Sequence, residues 1–181
     1  MFGILMCLRS GALNEGSDIM AFDEEILGIL AEIEKTLEAL HCEFTKSCGY
    51  DEKFGYNGVI TVIDPHIDRP LIVDVTKSEQ WSEIMMEFED WHCHCELSDI
   101  SGVLDTIWEL ISNEFGSVMV YLGEEHRCVF GSGISRNAAE NSPNAESFGL
   151  PKSYNDYWVE NSAIMEIKFW DQKYDKTIEL R

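Results

Sequence analysis

The sequence predicts an α+β fold, a mainly antiparallel sheet of about six or seven strands with two principal amphipathic helices packed on it. Three observations predict it. Two segments repeat apolar residues at helical spacing, and between and after them lie short β-branched runs separated by hairpin-length links. Such links imply antiparallel neighbours. No glycine-rich phosphate loop follows any of the runs, which counts against a doubly wound nucleotide-binding sheet.

The first helix is read over residues 18 to 41. Phe22, Ile26, Ile29, Leu30, Ile33, Leu37 and Leu40 form one stripe, wide enough to dock on a sheet. Asp18, Asp23, Glu24 and Glu25 crowd its start, where the helix dipole favours negative charge. "CGYDEKFGYNG" then breaks the helix with three glycines, and the β-branched runs "VITVID" and "LIVDVT" follow around the turn "PHIDRP". Ile84, Met86 and Phe88 alternate into a third strand. A second helix is expected from about Ser98 to Glu114, with Ser98 or Asp99 as its cap and Gly116 as its end. "SVMVYL" and "CVFGSG" read as a hairpin around "GEEHR", and "AIMEIKFW" and "KTIEL" as a closing hairpin around "DQKYD". Residues 134–153 form a polar loop, long enough without structure to signal either function or disorder.

At 181 residues, 45% of them hydrophobic, the chain can bury one core without staples. Residues 1–17 read as a disordered leader or an early start, and residues 18–181 as a single α+β domain, with Met20 opening the first helix. The opening "MFGILMCLRSG" has no basic region before it, so it makes a poor signal peptide. No apolar run approaches the roughly 20 residues of a membrane span. Thirty-four acidic residues against thirteen basic ones give a formal charge of −21. That field repels phosphate and anionic lipid, so the expected partner is a cationic protein and neither nucleic acid nor a membrane. The six cysteines include no Cys-x-x-Cys pair, and the expectation is reduced thiols in a cytoplasmic protein.

The stretch "EFEDWHCHCEL", residues 87 to 97, raises the sharpest chemical question. On a strand, Trp91, Cys93, Cys95 and Leu97 share one face, and His92, His94 and Glu96 the other. His-x-His places two imidazoles about 7 Å apart, within reach of one metal. Glu96, His126, His66 or an acid of the polar loop would have to complete the set. The competing reading packs Trp91, Cys93 and Cys95 inward as small hydrophobes and leaves the histidines in solvent. It needs no third ligand and is preferred, so no cofactor is expected. Ile84, Met86 and Phe88 are even-numbered and Trp91, Cys93 and Cys95 odd, so both sets can face the core only if the parity switches near Glu89–Asp90. A β-bulge there is favoured over a tight turn, because "ED" lacks the Asn-Gly or Asp-Gly chemistry of short hairpins.

Other catalytic patterns are absent: no G-x-S-x-G, no H-E-x-x-H and no P-loop. A Cys–His dyad could be drawn at Cys128 and His126, or between Cys95 and His92 or His94, but nothing beside these thiols lowers their pKa. No catalytic residue is assigned. A recognition surface is easier to place. Glu124 and Glu125 of "GEEHR", with Glu140 and Glu146 of the polar loop, would form a charged rim, and Tyr154, Tyr157 and Trp158 would supply apolar anchors.

"WHCH" at residues 91 to 94, ahead of an amphipathic helix, and "FWDQKYD" at residues 169 to 175 together resemble small domains among the immunity proteins of bacterial polymorphic toxin systems. The resemblance covers residues 20 to 181 in outline and those two motifs in text. It implies a cytoplasmic bacterial inhibitor that binds and blocks a toxin domain. Trp91, His92, His94, Trp170 and Asp175 carry over as pattern positions without catalytic roles; the first 17 residues and Cys93 and Cys95 depart from the pattern. Charge fits independently, since nuclease toxins carry basic clefts that an acidic inhibitor meets with complementary charge. A protein-binding inhibitor is thus the first reading. A metal-dependent enzyme at His92 and His94 comes second, and a subunit of a larger assembly third.

Overall fold

A computed structural model of the chain describes residues 23–53, 55–63, 69–123, 126–141 and 143–180. The fold is α+β, and the described residues form nine strands in two antiparallel sheets and four α-helices. Helix α1 (Glu24–Ala39) leads into β1 (Glu43–Asp51), β2 (Gly55–Ile63), β3 (Leu71–Lys77), β4 (Ser82–Phe88) and β5 (Trp91–Cys95). These five strands pair in sequence order as a meander. Helix α2 (Ile100–Ile111) crosses to β6 (Phe115–Leu122) and β7 (Arg127–Ser135), followed by α3 (Arg136–Glu140), a 3₁₀ turn at Ala145–Phe148 and α4 (Lys152–Glu160). Strands β8 (Ile164–Lys168) and β9 (Lys176–Glu179) complete a second sheet in the order β7-β6-β8-β9.

Helix α1 carries the predicted stripe from Ile26 to Leu37 but starts only at Glu24; Asp18, Met20 and Phe22 lie outside the described residues, and Leu40 is its C-cap. Asp23 caps it, its carboxylate accepting from the amides of Glu25 and Ile26, which satisfies two of the otherwise orphaned donors. Ile26, Ile29, Leu30, Ile33 and Leu37 are all buried against Ile60, Val62, Val73 and Val75 of the first sheet, with Val103, Ile107 and Leu110 of α2 in the same cluster. The helix lies so close to β2 that a Cβ on Gly58 would meet the Leu30 side chain, and only glycine allows that approach. Helix α2 is shorter than the periodicity predicts. A 3₁₀ turn at Leu97–Asp99 precedes it, and Asp99 holds the cap position without a capping hydrogen bond from its side chain.

The strand count exceeds the six or seven expected, for two local reasons. The stretch Glu43–Asp51 is β1, paired residue for residue with β2; it is an exposed edge strand without the apolar alternation that marks a strand in sequence. The segment leading through "EDWHCHC" is two strands. Phe88 pairs with Trp91, Met86 with Cys93 and Ile84 with Cys95, so Glu89 and Asp90 are a two-residue hairpin turn and not a β-bulge. Folding back through two residues switches the parity as a bulge would, and it puts Trp91 beside Phe88 in the core. Glu89 pays for the turn with φ +54°, a left-handed conformation that costs a non-glycine residue about 1 kcal/mol.

Residues 134–153 are likewise not a structureless loop. They hold the end of β7, all of α3 and the 3₁₀ turn. Ser135 caps α3 and Asn144 caps the turn in a reciprocal capping box with Ser147. The segment covers the second sheet, where Ala139, Ala145 and Trp158 join Val118, Val120, Met165, Ile167 and Phe169 in a second core cluster. Both expected hairpins, β6–β7 and β8–β9, form.

The two sheets meet through side chains. Trp91 packs edge-on to Phe115, centroids 5.6 Å apart, and Phe88 lies 6.1 Å from Trp170. The Tyr121 hydroxyl donates to Asp90 at 2.8 Å; burial first, then that carboxylate, push its pKa up. Phe115 swings back over Gly133, whose Cβ position its ring occupies.

Candidate functional site

The two histidines stand on the outer face of β5, both exposed, while Cys93 and Cys95 turn toward the first core as half-buried side chains. The rings of His92 and His94 meet edge to face at 5.3 Å. His94 Nδ1 lies 2.9 Å from a carboxylate oxygen of Glu83 on the neighbouring strand. Among the described residues no group of three or more histidine, cysteine or acidic side chains is gathered for a metal. His126, one proposed third ligand, stacks on Tyr121 at 4.8 Å, and His66 lies outside the described residues.

Cys93 and Cys95 are placed as packing groups. Burial pushes the Cys93 thiol up to about 12, aided by the charge that Cys95 would carry and by their mutual hydrogen bond. Burial also raises Cys95. At neutral pH both are thiols and weak nucleophiles. An aromatic disulfide reagent should therefore modify exposed Cys48 and Cys128 much faster than Cys93, with a rate ratio above about tenfold. The same shift fixes a pH dependence. Above the ordinary thiol value of 9.0, the unfolded chain loses the Cys93 proton while the folded chain keeps it, so stability falls as pH rises from there toward the folded value. Cys93→Val should flatten the decline in urea midpoint between these limits; an unchanged slope would show that the thiol is not the titrating group.

The positions of the "FWDQKYD" motif form a structural lock. Asp175 accepts the Phe169 amide at 2.9 Å and receives both ends of the Arg69 guanidinium, Nη1 at 3.1 Å and Nη2 at 2.6 Å. Arg69 also donates to the Phe169 carbonyl at 3.0 Å and pairs through Nε with Glu89. One planar fork thus ties the approach to β3, the β4–β5 turn and the entry to β9. Its carboxylate partners outweigh the cost of burial and hold the guanidinium above its usual pKa. Trp170 is 9% exposed, and the Asp171 amide donates to Asn113 Oδ1 at 2.6 Å. Trp91, Trp170 and Asp175 therefore pin sheets together. Sequence reasoning missed Arg69, whose only signal was a lone cation in a turn of an acidic chain.

The residues read as a recognition surface separate into three groups. Tyr154 and Tyr157, on α4, are 48% and 43% exposed and line a shallow depression with Ser153. Trp158 is not at the surface: it is 1% exposed and packs on Phe130 at 5.5 Å. One helical step past Tyr157 turns a side chain from solvent to core, and three aromatics within five residues of a polar stretch hide that rotation. Glu146 is exposed in the 3₁₀ turn that contacts α4. Glu140 is exposed on α3 and ion-paired with Arg136 at 3.1 Å, while Glu124 and Glu125 lie outside the described residues. Among the described residues the arrangement offers exposed apolar contact area and acidic side chains, with no assembled nucleophile, base or oxyanion donor. No family model, curated protein or solved structure matches the chain. No described helix is long and apolar enough to cross a membrane.

Proposed function

We propose that the protein is an acidic binding inhibitor that covers the basic surface of a cationic protein. The partner class that the charge and the motif resemblance both suit is a toxin domain, of the nuclease type. The observation that carries the reading is the pair Tyr154 and Tyr157, exposed on one short helix that contacts the 3₁₀ turn carrying exposed Glu146, in a chain of net charge −21. Aromatic side chains of this kind supply contact area at small entropic cost, and a charged rim steers encounter. In this reading Glu124, Glu125, Glu140 and Glu146 form the rim, and Trp158 supports the helix from below.

The test is copurification at low salt from the native host, with wild type and a Glu124→Lys/Glu125→Lys/Glu146→Lys bait, followed by binding kinetics on the protein recovered. Charge reversal should slow association about tenfold at low salt, and the two association rates should converge as ionic strength rises. Tyr157→Ala should speed dissociation with little change in association. Recovery of no basic protein, or equal association rates for both baits, would overturn the reading.

A further inference from the structure

The parity of the first sheet sorts its charges. Strand register places Thr45, Thr61, Ile72, Glu87 and His92 in one row across the face turned away from α1, and Ser47, Val59, Asp74, Met85 and His94 in the next. Both lysines of these strands point the other way and are taken up by α1: Lys46 pairs with Glu34, and Lys77 with Asp23 at 2.9 Å and Glu25 at 2.6 Å. The outward face of β1–β5 therefore holds no lysine or arginine. Its charges are Glu43, Asp51, Asp74, Glu83 and Glu87, with Glu96 just past the end of β5.

This face also has an apolar centre. Val59 and Met85 flank Asp74 on either side, and Ile72 is its neighbour along β3. All three are half-buried and belong to neither core cluster. The described helices α1 and α2 pack on the opposite face of this sheet. Asp74 itself is held by the Thr76 hydroxyl at 3.0 Å; burial, then the charge of Glu83, raise its carboxyl pKa against that hydrogen bond. Asp175 and Asp23, by contrast, are partly buried carboxylates that each face a cation, Arg69 and Lys77.

We infer that the outward face of the five-stranded sheet is a docking surface for a lysine- or arginine-rich segment of a protein, a site separate from the α4 surface. An apolar centre ringed by one sign of charge is the anatomy of a protein interface. Five strands at about 4.8 Å spacing span roughly 19 Å, the width of two packed helices or a hairpin. A partner's basic side chains would lay their methylene stems over Val59, Ile72 and Met85 and bring their charged ends to Asp74 and Glu83. The inference rests on the inhibitor reading for the sign of the partner's charge, and on the sheet alone for the place.

An amphipathic helical peptide of lysine and leucine serves as probe, with poly-lysine as the comparison that lacks apolar groups. Amide NMR shifts on titration should gather at Val59, Ile72, Asp74, Met85 and His94, and the peptide should bind tighter than poly-lysine. Two variants with the same change in net charge separate site from bulk field: Glu87→Lys/Glu96→Lys on the face, and Glu32→Lys/Glu109→Lys on the exposed sides of α1 and α2. The face variant should lose about tenfold in affinity and the helix variant about twofold. Equal losses, or shifts spread over the whole acidic surface, would overturn the docking surface. Shifts confined to Tyr154 and Tyr157 would overturn it while leaving the inhibitor reading in place. Localised shifts here, with no basic protein recovered from the host, would keep the surface and sink the inhibitor.

Discussion

Arg69→Met is expected to remove about 3–5 kcal/mol of stability, the cost of stranding partly buried carboxylates when their cation is taken away. The Arg69 and Asp175 side chains are only 10% and 19% exposed, so water cannot fully replace the lost hydrogen bonds. Methionine keeps the stem's packing and deletes the charge, which isolates the electrostatic part. Glu89, at 31% exposed, can turn to solvent, but its left-handed backbone then has nothing to hold it. Adding Asp175→Asn to Arg69→Met should recover part of the loss, a coupling of more than about 1 kcal/mol in a double-mutant cycle. Urea denaturation measures both. A loss under about 1 kcal/mol, or strict additivity, would show that the three-way ion pair is a surface ornament.

Trp158→Ala should cost about 3–5 kcal/mol, because it empties a large, fully enclosed site against Phe130 and Phe148. The aromatic group there is continuous, with Phe130 and Phe148 centroids 5.2 Å apart. Its loss should loosen α4 and with it the presentation of Tyr154 and Tyr157. Tyr157→Ala, on the same helix, should stay within about 1 kcal/mol of wild type. The contrast in urea midpoints separates support from surface; equal midpoint shifts would contradict the burial of Trp158.

What could be read from the residues follows from how local each cause is. The stripe of α1, the parity of β4 and β5 and both hairpins of the second sheet are written in short-range periodicity. The Glu89–Asp90 turn was misread because its support is not local: Arg69, twenty residues upstream, pairs with Glu89 across the fold. Strand β1 was passed over because "EFTKSCGYD" has one covered side chain near its start and little alternation after it. It is a strand because β2 offers it a complete ladder. For the residues proposed for recognition, the types are legible in the sequence but the rotation of α4 is not, so Tyr154 and Tyr157 separate from Trp158 only in three dimensions. The one-sided charge of the first sheet needed the register of all five strands, which no single stretch contains.

The neighbour-to-neighbour pairing of β1 through β5 bears on how the chain assembles in time. Each ladder closes a short loop, so the first sheet can zip together as soon as its residues leave the site of synthesis. The second sheet must wait. Strand β8 enters beside β6 only after α3 and α4 have been made. The bond from Arg69 to Asp175 closes across 106 positions. Contacts that form this late contribute little to the rate-limiting barrier, so loss of the Arg69 fork should appear chiefly as faster unfolding, with refolding nearly unchanged.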